Sequence, residues 1–172
     1  MTPRNDRPIL AIDPGLRELG YAVLAGKKIL AAGVLPLRTT PKNLRLGKVR
    51  DSMTSWIRAY RPRSLVLEHV PRRALDTLAG LPALGRLLKR LATRRRLSVT
   101  AYSAKAVRRS VVGDGWAGKR ETAEAVCARF PELKVQLTQD RKWKERHWQN
   151  MFDAVALALH HQLQTKPPSR SR

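Results

Sequence analysis

The chain has 172 residues, 42% of them hydrophobic, and carries 35 Lys and Arg against 13 Asp and Glu, a formal net charge of +22. That length and apolar content support one sizeable core and a single domain, and the charge favours a nucleic-acid partner over an anionic membrane surface. The lone cysteine, Cys127, excludes an intrachain disulfide and a cysteine-rich zinc site, and no apolar run approaches the ~18 residues of a spanning helix.

MTPRNDRP has no signal-peptide core, so a cytoplasmic protein is expected, associated with the nucleoid if the polyanion is DNA. Residues 8–13 read as a short buried strand, closed by Asp13, Pro14 and Gly15. Gly20 to Leu24 and Lys28 to Leu35 read as two more strands, and three in tight succession predict an antiparallel meander. Leu46, Val49, Met53, Trp56 and Ile57 follow helical spacing up to Pro62. Ser64 to Glu68 is a fourth strand, and Leu75 to Arg95 a helix with Pro82 as a kink or break. Its Leu75, Leu78, Leu81, Leu84 and Leu88 exceed what one face needs and offer either an interface or core.

Leu97 to Tyr102 reads as a fifth strand and Ser103 as the N-cap of a helix through Val112, stopped by Gly113. Lys119 to Phe130 is a further helix, 131–144 is charged and irregular, and a last helix runs from about Lys144 to Gln162. Cys127 reads as a small buried residue of its helix. The tail TKPPSRSR is Pro-, Ser- and Arg-rich, the composition of a flexible basic arm. The chain therefore divides into a flexible N-terminus (1–7), one domain (8–162) and a basic tail (163–172). Its element order predicts an α/β fold around a mixed five-stranded sheet.

Three of the scarce acids end or interrupt apolar runs: Asp13 in ILAID, Glu68 in SLVLE and Asp153 in MFDAVALAL. An ionised carboxylate in such surroundings is expensive unless something pairs or ligates it. Each alone has an ordinary reading, as a turn former, a strand-end salt bridge or a buried partner for an arginine. Together, on so basic a chain, they suggest a metal-dependent enzyme acting on a polyanion. If the first and fourth strands are adjacent and parallel, Asp13 and Glu68 emerge at one edge, with Asp153 approaching from the last helix. Phosphodiester hydrolysis needs an activated water and relief of charge on the leaving oxygen, and two divalent ions held by carboxylates supply both. Mg²⁺, which keeps several of its waters, needs only a few such ligands.

ILAIDPGLRELGYAVL, LVLEHV, AYSAKAVRRSVVGDGWAGKRETAEAV and NMFDAVALALHH, in this order and at these separations, resemble the motifs of RuvC-type Holliday-junction resolvases in the ribonuclease-H-like superfamily. The resemblance spans residues 8–162. It implies a ribonuclease-H-like fold with three antiparallel strands, then two parallel ones, and helices on both faces. It further implies a homodimer that resolves four-way DNA junctions by paired symmetric nicks, leaving 5′-phosphate and 3′-hydroxyl ends. Two Mg²⁺ ions per active site are implied, with Mn²⁺ as a substitute, and a branch-migration helicase as partner. Asp13, Glu68 and Asp153 take the family's metal-ligand positions. Where family members usually carry Asp or His, this chain has Asn150, which shares a helix face with Asp153 but brings no charge. His147, one further step back, is a candidate for the scissile phosphate or attacking water.

Gly113-Asp-Gly-Trp-Ala-Gly118-Lys119 imitates a nucleotide-binding loop, but Arg120 stands where Ser or Thr would hold Mg²⁺ and a helix precedes it instead of a strand. As the resolvase glycine turn, it would bring Lys119 to the cut phosphate at a helix N-terminus. Lys105, Arg108, Arg109, Lys119 and Arg120 are candidate DNA contacts, and Trp116 and Trp143, both among basic residues, could stack on exposed bases or pack half-buried. Many resolvases carry an aromatic wedge after the second acidic motif. Here His69-Val70-Pro71-Arg72-Arg73 stands instead, making His69 or Arg72 the candidate for opening the junction and Arg73 a further DNA contact. Two rival readings stay open: a less selective branched-DNA or RNA/DNA-hybrid nuclease of the same superfamily, and a catalytically idle junction-binding protein.

Overall fold

The structure is a computed structural model in which residues 7–70, 80–138 and 142–165 are described. Arg72, Arg73, Leu75 and Leu78 lie outside the described residues, as do nearly all of the N-terminal segment and most of the basic tail. Five strands form one sheet: β1 (Ile9–Asp13), β2 (Glu18–Ala25), β3 (Lys28–Pro36), β4 (Ser64–Glu68) and β5 (Ser98–Tyr102). The spatial order is β3-β2-β1-β4-β5, with β1–β2 and β2–β3 antiparallel and β1–β4 and β4–β5 parallel. This is the mixed sheet expected from the element order.

The helices are α1 (Arg45–Tyr60), α2 (Leu81–Arg94), α3 (Ala104–Val111), α4 (Lys119–Arg129), the single turn α5 (Lys134–Leu137) and α6 (Lys142–Thr165). Strand periodicity sorts them into two layers. Leu10, Ile12, Leu19, Val23, Leu65 and Leu67 face one way, onto Val49, Met53 and Ile57 of α1 and Leu81, Leu84 and Leu88 of α2. Ile9, Ala11, Ala22, Leu24 and Val66 face the other way, onto α3, α4 and the long α6. From Met151 to His161 only Asp153 is not buried, because this stretch lies flat across the sheet.

Of the helix expected from Leu75 to Arg95, the described part is α2, which begins at Leu81 with Pro82 in its first turn, where its missing N–H costs nothing. Two expectations need correction. Residues 131–137 are not irregular but form a 3₁₀ turn at Pro131–Leu133 followed by α5, anchored by buried Phe130 and Leu133. The last helix continues to Thr165, three residues beyond Gln162. Of the five leucines weighed for an interface, Leu81, Leu84 and Leu88 are buried in the chain's own core. No helix among the described residues is long and apolar enough to cross a membrane.

Candidate active site

The position of the acids follows from strand alternation. Asp13 continues the series Ile9, Ala11 and Glu68 the series Ser64, Val66, so both carboxylates leave the sheet on the α6 face. Ile12 pairs with Leu67 across the parallel β1–β4 ladder, which sets the next residues, Asp13 and Glu68, side by side at the carboxyl ends. The chain reverses its direction of sheet growth here, and open α/β sheets place their sites at such a switch point.

Asp153 comes from α6. That helix approaches β2 closely because Gly20, paired with Asp13, has no side chain: a Cβ there would stand 1.9 Å from the Asn150 carbonyl oxygen. Asn150 thus lies beside the end of β1, and Asp153 follows one turn on. A narrow cleft is lined by Glu68, Asp153, Arg108 and Thr122.

The electrostatics record this convergence. Burial, then the charges of Glu68 and Asp153, push the Asp13 carboxyl up to about 8 against the opposing pull of Lys119. Burial and Asp153 raise Glu68, opposed by Arg108 and Lys119. Burial raises Asp153, opposed by a hydrogen bond from Gln149 and by Lys119 and Arg108. Among the described residues, none of the three carboxylates is closed by an ion pair. Nor do three His, Cys, Asp or Glu side chains there meet at one point as a single-ion clasp. The carboxylates are neighbours in one field, three hard-oxygen donors whose mutual repulsion a divalent cation would relieve. The donor chemistry fits Mg²⁺ or Mn²⁺.

The cationic candidates divide. Ser103 caps α3 by accepting from the Ala106 N–H at 3.2 Å. Arg108 then turns toward the acids, while Lys105 and Arg109 line a separate groove of about 530 Å³ with Ser110 and His160. Lys119 opens α4, where Glu121 accepts from the Gly118 N–H. Arg120 pairs with Glu124 one turn on, at 3.0 Å. His69 is exposed and lines a groove of about 300 Å³ with Pro14, Glu68, Arg86 and Lys89, apart from the α6 face. Its N–H donates to the Tyr102 carbonyl at 2.8 Å, which continues the β4–β5 ladder.

His147 lies with its Nδ1 3.7 Å from Glu18 Oε1, a carboxylate supplied by β2. The remaining described histidines of α6 are structural. Ser110 Oγ meets His160 Nδ1 at 2.6 Å and Tyr102 Oη meets His161 Nδ1 at 3.0 Å, and burial lowers both imidazole pKa values. Cys127 is buried as expected, and burial pushes its thiol up.

Three neighbours escaped the sequence reading. Gln149 donates to Asp153 Oδ1 at 3.0 Å, a contact its i, i+4 spacing could have suggested. Thr122 reaches the acids, and Glu18 reaches His147, through tertiary packing, for which no local signal exists.

The family model described as crossover junction endodeoxyribonuclease RuvC matches residues 9–161. The crossover junction endodeoxyribonuclease RuvC of Frankia alni is 30% identical over 163 residues, covering 89% of this chain and 76% of that one. The Mycobacterium leprae protein of the same description is 28% identical over 160 residues, covering 89% and 80%. Among solved structures, Thermus thermophilus RuvC superposes with a TM-score of 0.69 at 24% identity, covering 90% of this chain and 92% of that one. The same protein in complex with a Holliday junction substrate gives 0.71. A fowlpox virus resolvase shares the fold at a TM-score of 0.58 and 11% identity, covering 93% and 99%. With the match extending from the first strand into the last helix, the chain belongs to the RuvC family of crossover junction endodeoxyribonucleases.

Proposed function

We propose that this chain is a Holliday-junction resolving endonuclease whose cutting site is formed by Asp13, Glu68 and Asp153, with Asn150 assisting. The observation that carries this reading is the convergence of three partly buried carboxylates, each with a raised pKa and no ion-pair closure among the described residues, on a chain of net charge +22. Membership of the RuvC family supplies the substrate class.

Asp13, Glu68, Asp153 and the Asn150 amide oxygen would hold two Mg²⁺, with Mn²⁺ as a substitute. When bound, the ions activate water and neutralise charge on the phosphate. The rest of the work falls to side chains. Arg108 and Lys119 place positive charge beside the carboxylates and attract the scissile phosphate. Gln149 fixes the rotamer of Asp153 and holds its carboxyl toward the ionised form. His147, with its Nδ1 3.7 Å from Glu18 Oε1 on β2, is assigned to the scissile phosphate or the attacking water. Lys105, Arg109, Arg120, His69, Arg72 and Arg73 supply further phosphate contacts.

Residues 8–162 form the nuclease domain. A homodimer places two such sites on the two-fold symmetric junction, giving paired nicks with 5′-phosphate and 3′-hydroxyl ends. The setting is cytoplasmic, at the nucleoid, with a branch-migration helicase as partner. The test is a panel of a four-way junction, a fork, a linear duplex and an RNA/DNA hybrid, each cleaved in Mg²⁺ with nick positions mapped. Junction cleavage well above all others, at symmetric positions, is expected; equal rates on linear duplex would overturn the resolvase reading.

A further inference from the structure

The loop joining α3 to α4 ends in an unusual display. Trp116 is 78% exposed, the most exposed large hydrophobic residue among those described. Burying an indole is among the larger gains open to a folding chain. Here the fold instead spends several constraints on holding this one out. Gly113 takes a positive φ of 98° to turn the chain out of α3. Asp114 Oδ1 accepts from the Trp116 N–H at 2.9 Å, and Ala117 is buried directly after it. Gly115 is buried against Lys105, with a Cβ there only 3.0 Å from Lys105 Cγ. The ring is therefore presented by a rigid loop.

Its surroundings specify what it would meet. Lys105 Nζ stands 4.1 Å from the ring centroid and occupies one face. At that exposure, the opposite face is open. The loop runs directly into Lys119, whose charge is felt by all three acids. An aromatic face rimmed by cations matches single-stranded nucleic acid, where bases stack on the ring and phosphates meet the charges. It does not match an apolar protein surface, which would have to desolvate Lys105 and Lys119. In linear duplex every base is already stacked and paired, so only a strand with an exposed base can use this ring.

Resting on the junction-cutting activity proposed above, we propose that Trp116 is a positioning and specificity residue. It stacks on an unpaired base at the opened centre of the junction and so registers the adjoining phosphate at Lys119 and the carboxylates. The experiment uses the full chain and synthetic four-way junctions carrying 2-aminopurine at the exchange point, with Ca²⁺ for binding and Mg²⁺ for cleavage. One junction is fully paired and a second carries mismatched pairs at its centre.

The wild type is expected to change 2-aminopurine emission on binding. Trp116→Ala is expected to bind with the same salt dependence, leave the emission at its free-junction value, and cut the paired junction roughly tenfold or more slowly. Trp116→Phe restores most of the rate, and the pre-opened junction restores Trp116→Ala close to wild type. An unchanged rate for Trp116→Ala on the paired junction, or an equal loss on both junctions, would overturn the stacking role. Unchanged emission with bound wild type would do the same. A wild type that cuts neither junction sinks the proposed activity itself, and the stacking role with it.

Discussion

At the residue scale, Asp13 carries the sharpest prediction. Burial and its two acidic neighbours raise its carboxyl from an ordinary value of 3.8 to about 8. Between those values the native state keeps a proton that the unfolded chain has released. The stability of the metal-free protein therefore falls as pH rises from about 4 to 8, with Glu68 and Asp153 contributing in the same direction. Asp13→Asn removes the penalty: calorimetry should show a higher melting temperature than wild type at pH 8 and little difference near pH 4. Mg²⁺ binds the ionised form, so it should raise the wild-type midpoint more at pH 8 than at pH 5. Gln149→Leu removes the donor to Asp153 Oδ1. Losing such a supporting contact should raise the Mg²⁺ concentration for half-maximal cleavage by roughly 10–100-fold. The three acids were legible because each breaks an apolar run. Gln149 was half legible, through its spacing, and Glu18 not at all, because its approach to His147 exists only once α6 lies across β2.

At the scale of elements, the site depends on how closely α6 lies on the sheet. Gly20→Ala would drive a methyl into the Asn150 backbone, and backbone at that distance cannot yield without moving the helix. We expect a loss of about 1–3 kcal/mol of stability in denaturant unfolding, together with strongly reduced cleavage because Asn150 and Asp153 shift with the helix. Cleavage at the wild-type rate would show that the packing of α6 does not set the site. The strands were read well where apolar runs are short and bounded: Ser64–Glu68 matches to the residue. The segment 131–137 was misread because its helix is a single turn, too short for periodicity to register, and its order comes from Phe130 and Leu133 reaching the core. Pro82, read as a kink or break, stands in the first turn of α2, where proline is as much at home as it is disruptive in the middle of a helix.

For the whole molecule, charge and topology play separate parts. Topology brings two strand ends and one helix together, which chain order allowed but could not compel. Charge brings the polyanion: at a net +22, junction affinity should fall steeply with salt. If six to ten phosphates are neutralised, the drop is roughly 10³–10⁵ between 50 and 200 mM. A fluorescence-anisotropy titration series measures it, and a shallow slope would show that much of the basic surface does not touch DNA. The Asp13, Glu68 and Asp153 carboxylates are the proposed cutting site for a branched substrate. The most direct measurement follows cleavage of a synthetic mobile four-way junction by wild type and Asp13→Asn, with binding of each followed in parallel. Wild type is predicted to cut in Mg²⁺ or Mn²⁺, and Asp13→Asn to bind the junction without cutting it. A wild type that binds but never cuts in either metal, or an Asp13→Asn protein that cuts as fast as wild type, would contradict the account.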